Sequence, residues 1–85
     1  MLLEYIQAAM DRAQYEILRD DGSYYGRIPG FKGLWANADT LEGCRRELQS
    51  ALEDWLLLGI RFGDKLPTVN GIRIRVPKLP RKVAG

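Results

Sequence analysis

The stretch Ile28-Pro29-Gly30-Phe31-Lys32-Gly33-Leu34-Trp35-Ala36-Asn37-Ala38-Asp39-Thr40-Leu41-Glu42 decides how the rest of the chain is read. Its first six residues include one Pro and two Gly, a bend that no helix contains. Leu34 to Ala38 reads as a short strand, and Asp39-Thr40 opens the longest helical pattern in the protein. There Leu41, Cys44, Leu48, Ala51, Leu52 and Trp55 recur at spacings of three, four and seven, which puts them on one face. Glu42, Arg45, Arg46, Glu47, Gln49, Glu53 and Asp54 fall on the other, so the helix is amphipathic. Either Asp39 or Thr40 suits the cap, and Asp39 with Glu42 three residues on has the spacing of a capping box. Gly59, after Leu56-Leu57-Leu58, reads as the stop, because Gly accepts a left-handed cap. The result is a rod roughly 28 Å long at the usual helical rise, long enough to lie across a small sheet.

Upstream, Leu2, Leu3, Ile6, Ala9, Met10 and Ala13 have helical spacing, so residues 2–14 read as a short amphipathic helix. A helix of this length is marginal alone and must dock on something. Tyr15 to Arg19 reads as a strand. Asp20-Asp21-Gly22-Ser23 is a hairpin tip, since Asp-Gly suits turns with positive φ, and Tyr24 to Ile28 is the returning strand. Pro29 ends regular pairing because it has no N–H to donate. Downstream, Ile60 to Lys65 is a connector, and Leu66-Pro67 and Asn70-Gly71 bracket an irregular piece. Ile72-Arg73-Ile74-Arg75-Val76 alternates strictly, the pattern of a half-buried strand with a basic outer face. The predicted order is α-β-β-β-α-β: an α+β domain, with an antiparallel meander and helices on one sheet face. It occupies residues 1–76, and residues 77–85 form a basic C-terminal tail.

Asp21-Gly22, Pro29, Gly33, Asp39-Thr40 and Glu42 occur in the order and spacing of the HicB family of antitoxins, which the chain resembles over roughly residues 15–67. Tyr25 and Pro67 stand where that family has an aromatic and a Pro. Gly30-Phe31 replaces the family's Asp-Leu, Ala38 replaces its Gly, and Leu34 stands where a Cys is frequent. The resemblance implies a partial RNase H-like fold and a partner: a small basic HicA-type RNase toxin that cleaves mRNA and whose active site the antitoxin covers. It also implies a homo-oligomer, a dimer or tetramer. Many relatives carry a C-terminal DNA-binding domain, for which about nine residues after the last predicted strand are too few.

Composition narrows the chemistry. There is no His among 85 residues, so the usual proton-transfer group near neutral pH is missing. The single Cys, Cys44, falls on the apolar helix face and reads as a buried structural residue; one Cys precludes an internal disulfide and suits a reducing compartment. A structural zinc site lacks ligands. Glu16, Asp20, Asp21, Asp39 and Asp54 are the carboxylates a metal nuclease would need, but each has a structural explanation and they do not converge. No catalytic, cofactor or metal site is expected, and the protein is read as a non-enzyme. No apolar run approaches a membrane span, Met1-Leu2-Leu3-Glu4 lacks the basic start of a signal peptide, and the expected location is the cytoplasm.

Charge is uneven. Residues 1–64 hold 7 Lys/Arg and 11 Asp/Glu, a balance of −4, whereas residues 65–85 hold 6 Lys/Arg and no acid. The tail is either a solvated basic segment or a surface for phosphate or an acidic body. An acidic body suits a basic RNA-cutting partner. The expected partner or oligomer face comprises Tyr24, Phe31, Trp35, Ile72, Ile74 and Val76, with the last strand as the free edge inviting self-association. Tyr24 and Tyr25 cannot both be core, because they alternate. The alternatives are a weak nucleic-acid-binding module using the basic C-terminal segment, with aromatics available to stack bases, and a stand-alone oligomeric interaction domain.

Overall fold

A computed structural model describes residues 2–74. The elements are α1 (Leu2–Asp11), β1 (Gln14–Ile17), β2 (Tyr24–Arg27), β3 (Trp35–Ala38) and α2 (Leu41–Phe62). The three strands form one antiparallel sheet in the order β1-β2-β3. Tyr15 pairs with Gly26 and Gly26 with Ala36; one row along, Glu16 pairs with Tyr25 and Tyr25 with Asn37. The hairpin tip is tied down by Asp21, whose carboxylate accepts from the Ser23 backbone N–H at 3.0 Å and the Ser23 hydroxyl at 2.7 Å. Both bonds favour the ionised form, which holds the Asp21 carboxyl below its ordinary range.

α2 lies on one sheet face, mostly beneath β3 and β2, and α1 packs against α2. Close approach is possible because the facing residues are small. A Cβ on Gly26 would stand 2.9 Å from the Tyr15 ring and 3.1 Å from the Cys44 sulfur. The Cys44 thiol lies over the Ala36 carbonyl, at 3.6 Å. Cys44, Leu48, Leu52 and Leu56 form the buried stripe of α2, joined in the core by Tyr5, Ile28, Phe31, Leu34, Leu66 and Val69. Tyr5 of α1 is fully buried, although helical periodicity alone points to Leu2 and Leu3, which are exposed. Its phenol donates to the Pro67 carbonyl at 2.5 Å, so α1 is fixed by the chain that returns after α2.

Three expectations are corrected. The first concerns the capping box: of the two candidate caps the structure uses Thr40, as one alternative had it, and the Thr40 hydroxyl accepts from the Gly43 N–H at 2.9 Å. The third helical position is therefore Gly43, and an Asp39–Glu42 capping box does not form. The helix also runs through Gly59 and ends at Gly63, which has φ +71°. There Gly63 N–H donates to Ile60 and Asp64 N–H to Gly59, the bond pair of a Schellman cap. Gly59 is glycine for a different reason: a Cβ there would stand 2.7 Å from Leu66 Cδ2, so its absence lets the returning chain seal the helix.

The last predicted strand is the third correction. Ile72 bonds back to Val69 across the Asn70-Gly71 turn, with N–H to carbonyl distances of 2.7 and 3.0 Å, and adds nothing to the sheet. Asn70 and Gly71 both have positive φ, as a tight two-residue hairpin turn requires. The alternation of Ile72 to Ile74 is thus satisfied by a local hairpin with both Ile half-buried on the core. Arg75, Val76 and the tail lie outside the described residues. The order among the described residues is α-β-β-β-α, and the sheet's free edges are β1 and β3.

Candidate partner-binding face

The pleat sorts the sheet residues into two sets. Tyr15, Tyr24, Gly26, Ala36 and Ala38 turn toward α2, and Gln14, Glu16, Tyr25, Arg27, Trp35 and Asn37 turn to solvent. On the outer face Tyr25 and Trp35 stack, with ring centroids 6.0 Å apart and planes at 24°. Trp35 is nevertheless 56% exposed. Arg27 stands across from Trp35, and its guanidinium donates to the Gln14 side-chain carbonyl at 3.0 Å. Asn37 is held by two bonds, from its amide to the Ser23 hydroxyl at 2.9 Å and to the Tyr24 carbonyl at 2.7 Å. The Ser23 hydroxyl therefore accepts from Asn37 while donating to Asp21, so the hairpin tip and β3 are locked together.

The 28–34 loop walls one end of this face, where Tyr25, Arg27, Lys32 and Trp35 line an open groove. The loop is anchored from below. The Phe31 ring wedges between Tyr5 (6.3 Å) and Trp55 (5.1 Å), and the Trp55 indole N–H donates to the Lys32 carbonyl at 3.0 Å. This arrangement presents a stacked aromatic pair with a flanking guanidinium, the residue types that dominate binding energy at protein interfaces.

Of the residues expected at a partner face, Trp35 lies on it. Phe31 is only 3% exposed and is a core wedge; Tyr24 lies on the α2 side, half-buried. Ile72 and Ile74 pack on the core, and Val76 is outside the described residues. Of the fold-motif residues, Pro29 and Gly33 shape the loop, Thr40 caps α2, and Asp39 and Glu42 are exposed beside the cap. Tyr25 and Arg27 are the functional candidates that the sequence reading did not select. The hairpin register contains the missing information: with Tyr15 turned toward α2, Glu16 is outward and its partner Tyr25 must be outward too.

Cys44 is fully buried, and burial with Glu47 nearby pushes its thiol above the ordinary range. Among the described residues the buried Tyr15 hydroxyl has no partner, and desolvation raises its pKa, with Arg45 opposing the shift and Cys44 adding to it. Among the described residues no three His, Cys, Asp or Glu side chains group as metal ligands, and no helix is long and apolar enough to cross a membrane.

A small α+β domain with one helix-covered sheet face and one bare aromatic face is the class that these features define. The chain belongs to the UPF0150-like family, which matches residues 4–67. Among solved structures it is similar to TTHA0281 from Thermus thermophilus. The two share 41% sequence identity and a TM-score of 0.81, over 91% of this chain and 95% of that one. No curated protein matches it.

Proposed function

We propose that this chain is a HicB-type antitoxin, which binds a small basic mRNA-cleaving RNase of the HicA type in the cytoplasm and covers its active site. The observation that carries the reading is the outer sheet face: an exposed Trp35 stacked on Tyr25 with Arg27 beside it. The UPF0150-like match and the HicB-like motifs from Asp21 to Glu42 support it. So does the −4 balance of residues 1–64, which attracts a basic partner and speeds encounter at low salt. Blocking an active site by occupancy requires no catalytic group in the blocker, and the chain is read as a non-enzyme.

Arg27 and Lys32 beside an aromatic pair also suit single-stranded nucleic acid, which stacks on such platforms. The −4 balance of residues 1–64 taken together disfavours that reading. Co-expression with a toxic HicA-type RNase separates the two. Antitoxin action restores growth and RNA integrity in wild type and loses both in Trp35→Ala. Failure of the wild type to rescue growth contradicts the proposal.

A further inference from the structure

The segment after Ile74 has a period that the rest of the chain lacks. Arg75-Val76-Pro77 and Lys78-Leu79-Pro80 repeat the order basic, apolar, proline, and Arg81 follows in phase. A polyproline II helix has three residues per turn, so it sorts this repeat into three ridges. One ridge is Arg75, Lys78 and Arg81; the others are Val76 with Leu79 and Pro77 with Pro80. Two adjoining ridges are thus apolar, and the third is cationic. The sequence also favours that conformation locally. Pro77 and Pro80 have φ fixed in the polyproline range, and Val76 and Leu79, each preceding a Pro, are pushed to the same region.

The described chain stops at Ile74, close to a groove that suits such a segment. Trp55, Leu58 and Phe62 stand at i, i+3 and i+7 along the end of α2, which puts them in one stripe. Leu58 is 53% exposed and Phe62 69%. With Gly59 and Leu66 they line an apolar groove of about 430 Å³. Asp64, Lys65 and Leu66 line both this groove and the depression that contains Ile74. The lengths agree as well. From Trp55 to Phe62 is about 10 Å at the helical rise. Val76 to Leu79, and Pro77 to Pro80, each span about 9 Å in polyproline II.

We propose that residues 76–80 dock as a polyproline II helix in this groove of their own chain. Val76, Leu79 and the two prolines lie against Trp55, Leu58 and Phe62, and Arg75, Lys78 and Arg81 face solvent. Aromatic-lined grooves take proline-rich segments because the ligand is already formed and loses little entropy on binding. The tether at Ile74 raises the local concentration of the segment, so a weak contact suffices. Asp64 and Lys65 at the groove offset one another and give the basic ridge no net charge to turn toward. Docking also covers Leu58 and Phe62, which are otherwise large apolar side chains in water.

The proposal does not rest on the antitoxin reading, and its test needs only the full chain, without toxin. Nuclear Overhauser contacts are expected from the Leu79 and Val76 methyls to the Trp55 and Phe62 rings. They should persist in high salt, which screens charge but not apolar contact. Leu79→Ser and Phe62→Ser each should abolish the remaining contacts of the segment, while Lys78→Ser leaves them in place. Phe62 is exposed, so thermal melts should show every variant folded. A mixture of isotope-labelled and unlabelled protein tells contacts within one chain from contacts between copies. Absence of the contacts in wild type overturns the proposal. Contacts found only between copies also overturn it, because the groove then holds another molecule's segment. Equal loss in Lys78→Ser, or loss in high salt, overturns it too, because charge and not the apolar ridges then holds the segment.

Discussion

Replacing Leu48 with Ala probes the packing of α2 at the place where it should matter most. Leu48 is fully buried, one turn from Cys44 and one from Leu52, both also at 0% exposure. The neighbours are helix and sheet residues held by their own backbone bonds, so the site collapses little when three carbons leave. Loss of transfer free energy plus the residual cavity then costs about 2–5 kcal/mol. The whole domain, at 85 residues, is stabilised by roughly 4–13 kcal/mol on per-residue scaling. A single substitution thus removes a large share. At about 4–8 °C per kcal/mol for a domain of this size, even the low end lowers Tm by about 8–16 °C. The assay is urea denaturation followed by far-ultraviolet circular dichroism, with thermal melts beside it. The midpoint should fall while the m-value stays constant, since the same surface is exposed on unfolding. Leu57→Ala is the control: Leu57 is on the same helix but 64% exposed, and its loss should cost under about 0.5 kcal/mol. Equal effects of the two substitutions would refute the assigned helix face.

Other expectations follow from single contacts. Gly26→Ala places a methyl 2.9 Å from the Tyr15 ring and 3.1 Å from Cys44 Sγ; it should destabilise by about 1–3 kcal/mol in chemical denaturation, and a gain in stability would contradict the close approach. Gly63→Ala forces a side chain into the left-handed cap at φ +71° and should cost about 1 kcal/mol by the same assay. Asp21 has a carboxyl pKa below its ordinary value of 3.8 when folded, so its contribution is fully present above that value. It fades as pH falls through the lower folded value, and Asp21→Asn should flatten the acid limb of the stability–pH curve. Cys44, buried and with its thiol pushed up, should react with a disulfide reagent only slowly in the native protein and rapidly in denaturant.

Much of the architecture was legible from local patterns. The Asp21-Gly22 hairpin, the Pro29–Gly33 bend and the apolar stripe of α2 each carry their own physical cue, and the observed elements follow them. What was not legible depended on contacts between distant residues. Gly59 looks like a helix stop until Leu66 is found 2.7 Å from where its Cβ would be. Tyr5 looks peripheral until Pro67, 62 positions away, accepts its hydroxyl. Ile72 to Val76 alternates as a strand does, yet alternation does not say which edge a segment joins, and Ile72 turns back on Val69 instead. Phe31 reads as an exposed loop aromatic because nothing local reveals the pocket between Tyr5 and Trp55. The outward position of Tyr25 was implied by the hairpin register, but only once that register was fixed at Glu16.

The most direct test of the antitoxin reading is the affinity of this chain for a purified small basic RNase of the HicA type, measured calorimetrically for wild type, Trp35→Ala and Tyr25→Ala. Both substitutions lie on the outer face, away from the core, so thermal melts should show the variants folded. If the stacked pair anchors the interface, each truncation should weaken binding by about 2 kcal/mol, roughly 30-fold. Leu57→Ala, on the far side of the molecule's helix layer, should leave the affinity unchanged. Tight binding that survives loss of both aromatics in folded protein would contradict the account.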